Sequence, residues 1–194
     1  MPCESLSLPA QECITGRKLA EIKGSVCHDC YAMKGRYVFD NVKKPRYTNL
    51  EAIRHNLADW IVNTTHEIKR TNSSGYFRWH DSGDLQSLDH LKAIVKIAQA
   101  TPNIKHWLPT KEKQFLNQAK REGLEIPENL TIRLSMPMIN DEPKQTTWEL
   151  TSTVRTKDGQ AHGVECKSYE QGGKCLTCRT CWDKATPNIT YLKH

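Results

Sequence analysis

The sequence predicts an α/β protein, a partial TIM-like βα barrel with cysteine-rich N- and C-terminal loop regions. Three observations predict it. Residues 76–80, 104–108 and 130–135 read as short strands of alternating apolar and polar residues. The segments between them carry apolar residues at helical spacing, which gives strand, helix, strand, helix, strand, the pattern of a parallel sheet. The eight cysteines fall into a group of four at each end of the chain. A length of 194 residues suits one domain, residues 1–194.

The first 47 residues read as an irregular loop around a short strand at 5–8, held open by Pro2, Pro9, Gly16, Gly24, Gly35 and Pro45. A loop this long needs something to order it, and cysteine ligands on a metal would do so. A helix is predicted from Thr48, where Thr48 and Glu51 form a capping box and Leu50, Ile53, Leu57, Trp60, Ile61 and Ile68 make one apolar face. The strand at 76–80 sets Phe77 and Trp79 on one face and Tyr76, Arg78 and His80 on the other. Ser87 caps a helix with Leu88, Leu91, Ile94, Val95 and Ala98 inward. The strand at 104–108 leads to a helix carrying Phe115, Leu116 and Ala119 that ends at Gly123. In the strand at 130–135, Leu130, Ile132 and Leu134 alternate with Thr131, Arg133 and Ser135.

Right-handed crossovers put all three helices on one side of such a sheet. The other face then carries Arg78, His80, Lys105, Trp107, Arg133 and Ser135, polar enough to be a binding site. Beyond Pro137 the sequence predicts a hairpin of 149–156 with 161–166 around Asp158-Gly159, and irregular chain from Cys166 to Trp182.

The net charge of +6 fits an ordinary solvated surface and also an anionic partner. Lys34, Arg36, Lys43, Lys44 and Arg46, interleaved with Tyr37, Phe39 and Tyr47, form the densest basic patch and motivate a nucleic-acid reading. No run reaches the roughly 18 apolar residues of a membrane helix, so no membrane role is expected. The start Met1-Pro2-Cys3-Glu4-Ser5 does not read as a signal peptide, and a cytoplasmic protein is expected. There is no G-x-S-x-G elbow and no Walker or Rossmann glycine loop, which removes those hydrolase and nucleotide classes.

Cys166, Cys175, Cys178 and Cys181 form a C-x8-C-x2-C-x2-C run. A structural zinc takes paired thiolates from two separated knuckles; three thiolates two residues apart are closer to the run that wraps a [4Fe–4S] cube. Cys13, Cys27 and Cys30 form a C-x13-C-x2-C triplet in the loop before the first long helix. Three thiolates on a cube leave one iron without a protein ligand, free to act as a Lewis acid. Zinc held by four cysteines, a single centre drawing on both groups, and a second metal site (zinc or iron–sulfur) remain alternatives. Cys3 reads as an ordinary small buried residue.

Trp79-His80-Asp81-Ser82-Gly83-Asp84 ends one strand and Pro109-Thr110-Lys111 the next. Function gathers at the C-terminal ends of barrel strands, so His80, Asp81, Asp84 and Lys111 are the acid–base and binding candidates. Arg78 and Arg133 would clamp a carboxylate beside Ser135. The plainer reading makes Asp81 and Ser82 helix caps, His80 a packing residue and the arginines partners of nearby acids.

Cys13-Ile14-Thr15-Gly16, Gly24-Ser25-Val26-Cys27-His28-Asp29-Cys30-Tyr31-Ala32, Arg78-Trp79-His80-Asp81-Ser82-Gly83-Asp84-Leu85, Trp107-Leu108-Pro109-Thr110-Lys111 and the terminal Cys175-Leu176-Thr177-Cys178-Arg179-Thr180-Cys181-Trp182 resemble the phage gene product 88 family. The resemblance implies a bacteriophage protein in the host cytoplasm whose cysteines bind an iron–sulfur cluster. A weaker similarity links the chain to radical S-adenosylmethionine enzymes, whose C-x3-C-x2-C triplet differs from the one here. The sequence therefore leads to an oxygen-sensitive [4Fe–4S] lyase, desulfidase-like, acting on a small thiol such as a thiol amino acid. The alternatives are radical S-adenosylmethionine chemistry and a nucleic-acid-binding protein with a structural metal.

Overall fold

The computed structural model describes residues 2–144 and 146–193. It is a mixed α/β protein. Its seven-stranded parallel sheet has the order β1-β2-β3-β4-β5-β7-β6. The strands are β1 (Glu4–Leu6), β2 (Tyr76–Trp79), β3 (Lys105–Thr110), β4 (Leu130–Ile139), β5 (Thr151–Arg155), β6 (Val164–Glu165) and β7 (Asn188–Leu192). The helices are α1 (Ile14–Ala20), α2 (Asp40–His55), α3 (Leu57–Thr71), α4 (Leu88–Ala100) and α5 (Lys113–Arg121). Among the described residues no helix is long and apolar enough to cross a membrane.

Strands β1 to β5 lie side by side in chain order, so the intervening helices share one face of the sheet. That face holds the core. Phe77, Trp79, Leu108, Leu130, Ile132 and Leu134 pack with Leu50 and Ile53 of α2, Trp60 and Ile68 of α3, Leu91 and Ile94 of α4 and Leu116 of α5. The alternation read from the sequence is observed for these apolar strand residues, and in β2 it ends at Trp79. Ser87 caps α4 as expected, its Oγ accepting from the His90 amide at 3.0 Å.

The helix expected from Thr48 is two helices. α2 begins eight residues earlier, runs through Pro45, and contains Thr48, whose hydroxyl donates to the Lys44 carbonyl rather than capping. Asn56 breaks the run and caps α3, its side chain accepting from the Asp59 amide. The expected hairpin is absent. β5 and β6 do not pair with each other; both run parallel to β7, which lies between them in the sheet and follows the cysteine run. Hydroxyls hold β7 in place: Thr153 Oγ1 lies 2.9 Å from Thr190 Oγ1, and Thr151 Oγ1 donates to Asn188 Oδ1 at 2.8 Å.

The helix-free face of the sheet carries Arg78, Trp107, Thr131 and Arg133. Much of it is covered by the chain's own C-terminal segment. The Trp182 ring sits 5.3 Å from both Tyr76 and Trp107, its Nε1 donates to the Phe77 carbonyl at 2.9 Å, and Thr131 Oγ1 donates to the Trp182 carbonyl at 2.8 Å.

Candidate functional site

The chain between β1 and α2 crosses the C-terminal edge of the sheet and is tied to three strand ends. Beyond β2, Tyr31 donates its hydroxyl to the Asp81 carbonyl and Tyr37 donates to the Asp81 carboxylate at 3.2 Å. Just past β3, the fully buried Glu112 accepts from the Thr15 amide at 2.7 Å and the Thr15 hydroxyl at 2.8 Å. Its carboxylate thus satisfies an orphan donor in the first turn of α1 and sits at the positive end of that helix. In β4, the Pro137 carbonyl accepts from Val26 at 2.9 Å and the Ile139 amide donates to Gly24 at 3.0 Å, an antiparallel bridge that fixes the segment before Cys27.

These ties bring Cys13, Cys27 and Cys30 together. Cys13 caps α1, and Gly16 stands one turn on. A Cβ on Gly16 would lie 3.6 Å from the Cys13 sulfur and 3.7 Å from the Cys27 sulfur, so the absent side chain leaves space that both thiols border. Burial pushes the Cys13 thiol well above its ordinary range, and the neighbouring Asp84, Cys27 and Cys30 push it further. Burial raises Cys27 as well, against the pull of Lys111.

Lys111 is the cation of this neighbourhood. Its Nζ donates to the Met136 carbonyl at 3.3 Å, and its amide donates to Asp84 Oδ2 at 2.8 Å. Burial lowers its pKa, while the charges of Cys27, Asp84, Cys13 and Cys30 work the other way. Both oxygens of the buried Asp84 carboxylate are engaged, Oδ1 by Thr110 Oγ1 at 2.6 Å and the Leu85 amide at 2.7 Å, and Oδ2 by Lys111. Asp84 therefore joins the ends of β2 and β3 and sets the backbone of Lys111. Burial raises its pKa to about 6.

The remaining sequence-derived residues lie as follows. Asp81 is part of the rim with Tyr31 and Tyr37. Arg78 lies on the helix-free face, its guanidinium 4.7 Å from the Trp107 ring centroid. His80 does not lie on that face with it. Its φ of 55° ends the strand alternation, and its ring packs 5.3 Å from His90 on the helix side, where burial holds it well below the ordinary histidine range. Arg133 is fully buried and donates to the backbone carbonyls of Cys181 (3.1 Å), Thr186 (2.8 Å) and Asp183 (2.5 Å), so its fork grips the C-terminal segment. Ser135 accepts from Ser152 at 3.0 Å.

Cys166, Cys175, Cys178 and Cys181 form a separate group at the β6–β7 side of the sheet. Cys166 follows β6, its amide donating to Thr190, and the Cys181 sulfur lies 3.2 Å from the Tyr191 hydroxyl. Cys3 is half-buried and feels the charge of Cys175, so it neighbours this second group rather than the first. Among the described residues no three His, Cys, Asp or Glu side chains are set to close on a single metal ion.

A family model described as gene product 88 matches residues 1–184. The chain belongs to the gene product 88 family. This is a family of phage gene products, and the match spans both cysteine groups and all three strand ends described above. No curated protein and no solved structure matches the chain. Within this gene product 88 chain, Glu112 is the site residue that sequence reasoning missed. Its signal was its place: the acid directly after Thr110-Lys111 at the end of β3, where Asp81 and Asp84 had already marked the end of β2.

Proposed function

We propose that the chain is an iron–sulfur enzyme in which Cys13, Cys27 and Cys30 hold a [4Fe–4S] cluster with one iron left for a small-molecule substrate. The observation that carries this reading is the convergence of those three thiols, from a single loop, on strand ends that also bear the buried Lys111. The residues fit such a group in size. A single zinc sits about 2.3 Å from each thiolate, which draws the sulfurs to within roughly 4 Å of one another; no three ligand side chains among the described residues close in that way. A cube of iron and sulfide is wider and takes up more room, and the space beside Gly16 that the Cys13 and Cys27 sulfurs border is open to part of it. They fit in charge as well, since Lys111 stands beside the thiols and its charged form is favoured by negative charge on Cys27, Cys13 and Cys30. In this reading the sequential strand order is that of a partial TIM-like barrel with the cluster at its mouth, in the reducing cytoplasm of a bacterial host.

When bound, the cluster supplies a soft Lewis acid with a preference for thiolate sulfur. The chain's own residues do the rest. Arg78, held against Trp107, offers a guanidinium for the carboxylate of a thiol amino acid. Lys111 accepts or donates a proton at Nζ, and Asp84 and Glu112 hold the strand end and the cysteine loop in register around it. Tyr31, Tyr37 and Asp81 close the rim. The reaction class is removal of sulfur by elimination: a proton leaves the carbon next to the C–S carbon, the C–S bond breaks, and its electron pair departs with sulfur as hydrosulfide. His80, packed against His90, is left out of the proton path.

A second reading is favoured by one observation: the three cysteines lie in the loop after the first parallel strand. That is where the resemblance to radical S-adenosylmethionine enzymes puts a cluster. One anaerobic experiment separates the two. Loaded protein incubated with cysteine-class thiols releases hydrosulfide and apoprotein does not; equal release from both removes the desulfidase reading. Reduced, loaded protein given S-adenosylmethionine forms 5′-deoxyadenosine only under the second reading.

A further inference from the structure

The second cysteine group has features that the open-iron reading does not use. We infer that Cys166, Cys175, Cys178 and Cys181 hold a second, closed iron–sulfur cube, separate from the first centre, with every iron met by a protein thiolate. The inference goes beyond the open-iron reading and does not depend on it.

Three observations carry it. First, the fold brings the four cysteines together although eight residues of sequence separate Cys166 from Cys175. Cys166 extends β6 alongside β7, and Cys181 reaches the same place from the other direction, against Tyr191 of β7. Cys181 lies within electrostatic reach of Cys166 and Cys175, whereas the thiols within reach of Cys13 are Cys27 and Cys30, so the groups are distinct.

Second, three of the four sulfurs have a hydroxyl at hydrogen-bonding distance. Cys166 Sγ lies 3.3 Å from Ser168 Oγ, Cys178 Sγ 3.2 Å from Thr180 Oγ1, and Cys181 Sγ 3.2 Å from the Tyr191 hydroxyl. Two of these come from a repeated Cys-x-(Ser/Thr) step, Cys166-Lys167-Ser168 and Cys178-Arg179-Thr180. Here the Cys166 thiol donates to Ser168; once a cluster displaces the thiol protons, these hydroxyls can turn to donate to sulfur, the outer shell that tunes a cluster.

Third, the backbone around the sulfurs is fixed at a conformational cost. Leu176, inside Cys175-Leu176-Thr177-Cys178, has φ 47° and an exposed side chain, so packing does not hold it there. The Cys178 amide donates to the Cys175 carbonyl at 2.9 Å across that turn. A non-glycine residue in this region needs surroundings that over-determine it; Arg179 Nη1 donates to the Leu176 carbonyl at 2.7 Å and to the Cys178 carbonyl at 2.8 Å, and a cluster bound by Cys175 and Cys178 would add to that hold. Arg133 anchors the segment from the other side, through the carbonyls of Cys181 and Asp183. The four-thiolate set leaves no vacant iron, so this centre binds no substrate. It pins the C-terminal segment over the helix-free face.

The test is iron, zinc and acid-labile sulfide analysis of anaerobically purified full-length chain, with electron paramagnetic resonance of the reduced protein. Wild type is expected to hold about twice the iron of a Cys178→Ala, Cys181→Ala variant, and that variant keeps the signal of the first centre. The complementary variant, Cys13→Ala, Cys27→Ala, Cys30→Ala, keeps the other half. A single exposed change, Cys178→Ala, guards against a variant that merely fails to fold, because its thermal transition should survive while iron is lost. Thr180→Val and Tyr191→Phe, each removing a hydroxyl donor, are expected to shift the second centre's reduction potential downward and leave the first unmoved. Iron unchanged in Cys178→Ala, zinc in place of iron at this group, or potentials indifferent to Thr180→Val overturn the inference. A chain in which only the Cys13 group is dispensable for iron overturns the open-iron reading and leaves this one standing.

Discussion

Strands β2 to β4 and strands β5 to β7 belong to one parallel sheet but are held by different forces. The first region buries apolar side chains against α2 to α5, with Leu91, Ile94, Leu108, Leu116 and Leu130 wholly out of water. The second has no α-helix in its connections, only short 3-10 turns at Ser168–Gln171 and Thr180–Trp182, and its buried side chains include Thr151, Ser152, Thr153, Asn188 and Thr190. Hydrophobic burial is non-directional and tolerates small displacements. Buried hydroxyls and amides stabilise only while each keeps its partner, because an unpaired one bears its full desolvation cost. The second region is therefore the more brittle, and it is the region that carries the four C-terminal cysteines.

The largest expected effect comes from breaking that brittle half. Arg133→Met strips the guanidinium from buried carbonyls of residues 180–186 and should destabilise by about 3 kcal/mol or more. Limited proteolysis should then cut after Arg179 or Lys184 while the region before β5 stays protected. Leu108→Ala in the apolar half is expected to cost about 2–5 kcal/mol in urea unfolding. It should lower the midpoint without exposing the C-terminal segment first; early cutting there would erase the contrast between the halves.

The buried histidines make a pH prediction for the apolar half. Burial holds His90 down at about 3 and His106 at about 4, against an ordinary value of 6.5. Above 6.5 both are neutral folded or unfolded. As pH falls below 6.5 the unfolded chain takes up protons that the folded chain refuses, so stability drops through the window from 6.5 to about 4 for His106 and on to about 3 for His90. His80, held well below the ordinary range, acts in the same sense; Asp84, raised to about 6, opposes them between about 6 and 3.8, one group against three. Urea midpoints at pH 7 and pH 5 should therefore differ, and His90→Leu should flatten the difference.

The smallest perturbation acts on the site alone. In Gly16→Ala the new methyl would stand 2.8 Å from the Cys13 Cβ and beside two thiol sulfurs. It should reduce iron at the first centre with little change in melting temperature. Full iron loading in this variant would mean that the space by Gly16 is not part of the site.

Much of the first region was legible in the sequence because its periodicity is the packing. Phe77 and Trp79, Leu130, Ile132 and Leu134, and the Ser87 cap all lie where their spacing indicates. The start of α2 was hidden by Pro45, a loop signal that this helix accommodates in its second turn. β7 was hidden because it is only five residues long and buries the polar Asn188 and Thr190 along with Ile189, so burial there does not follow apolarity. At the candidate site, the grouping of Asp84, Lys111 and the first three cysteines could be anticipated because strand ends and thiol spacing mark them. The facing of His80 could not, because it depends on a single left-handed residue. Nor could the role of Arg133, since a guanidinium bound to carbonyls and one awaiting a carboxylate look alike in sequence.

The most direct measurement is anaerobic iron and labile-sulfide content of the wild-type chain beside Cys13→Ala, Cys27→Ala, Cys30→Ala. The account predicts a brown wild-type protein that loses a full cube's worth of iron and sulfide in the triple variant. A variant that keeps all its iron, or a colourless wild type carrying zinc and no sulfide, would contradict it.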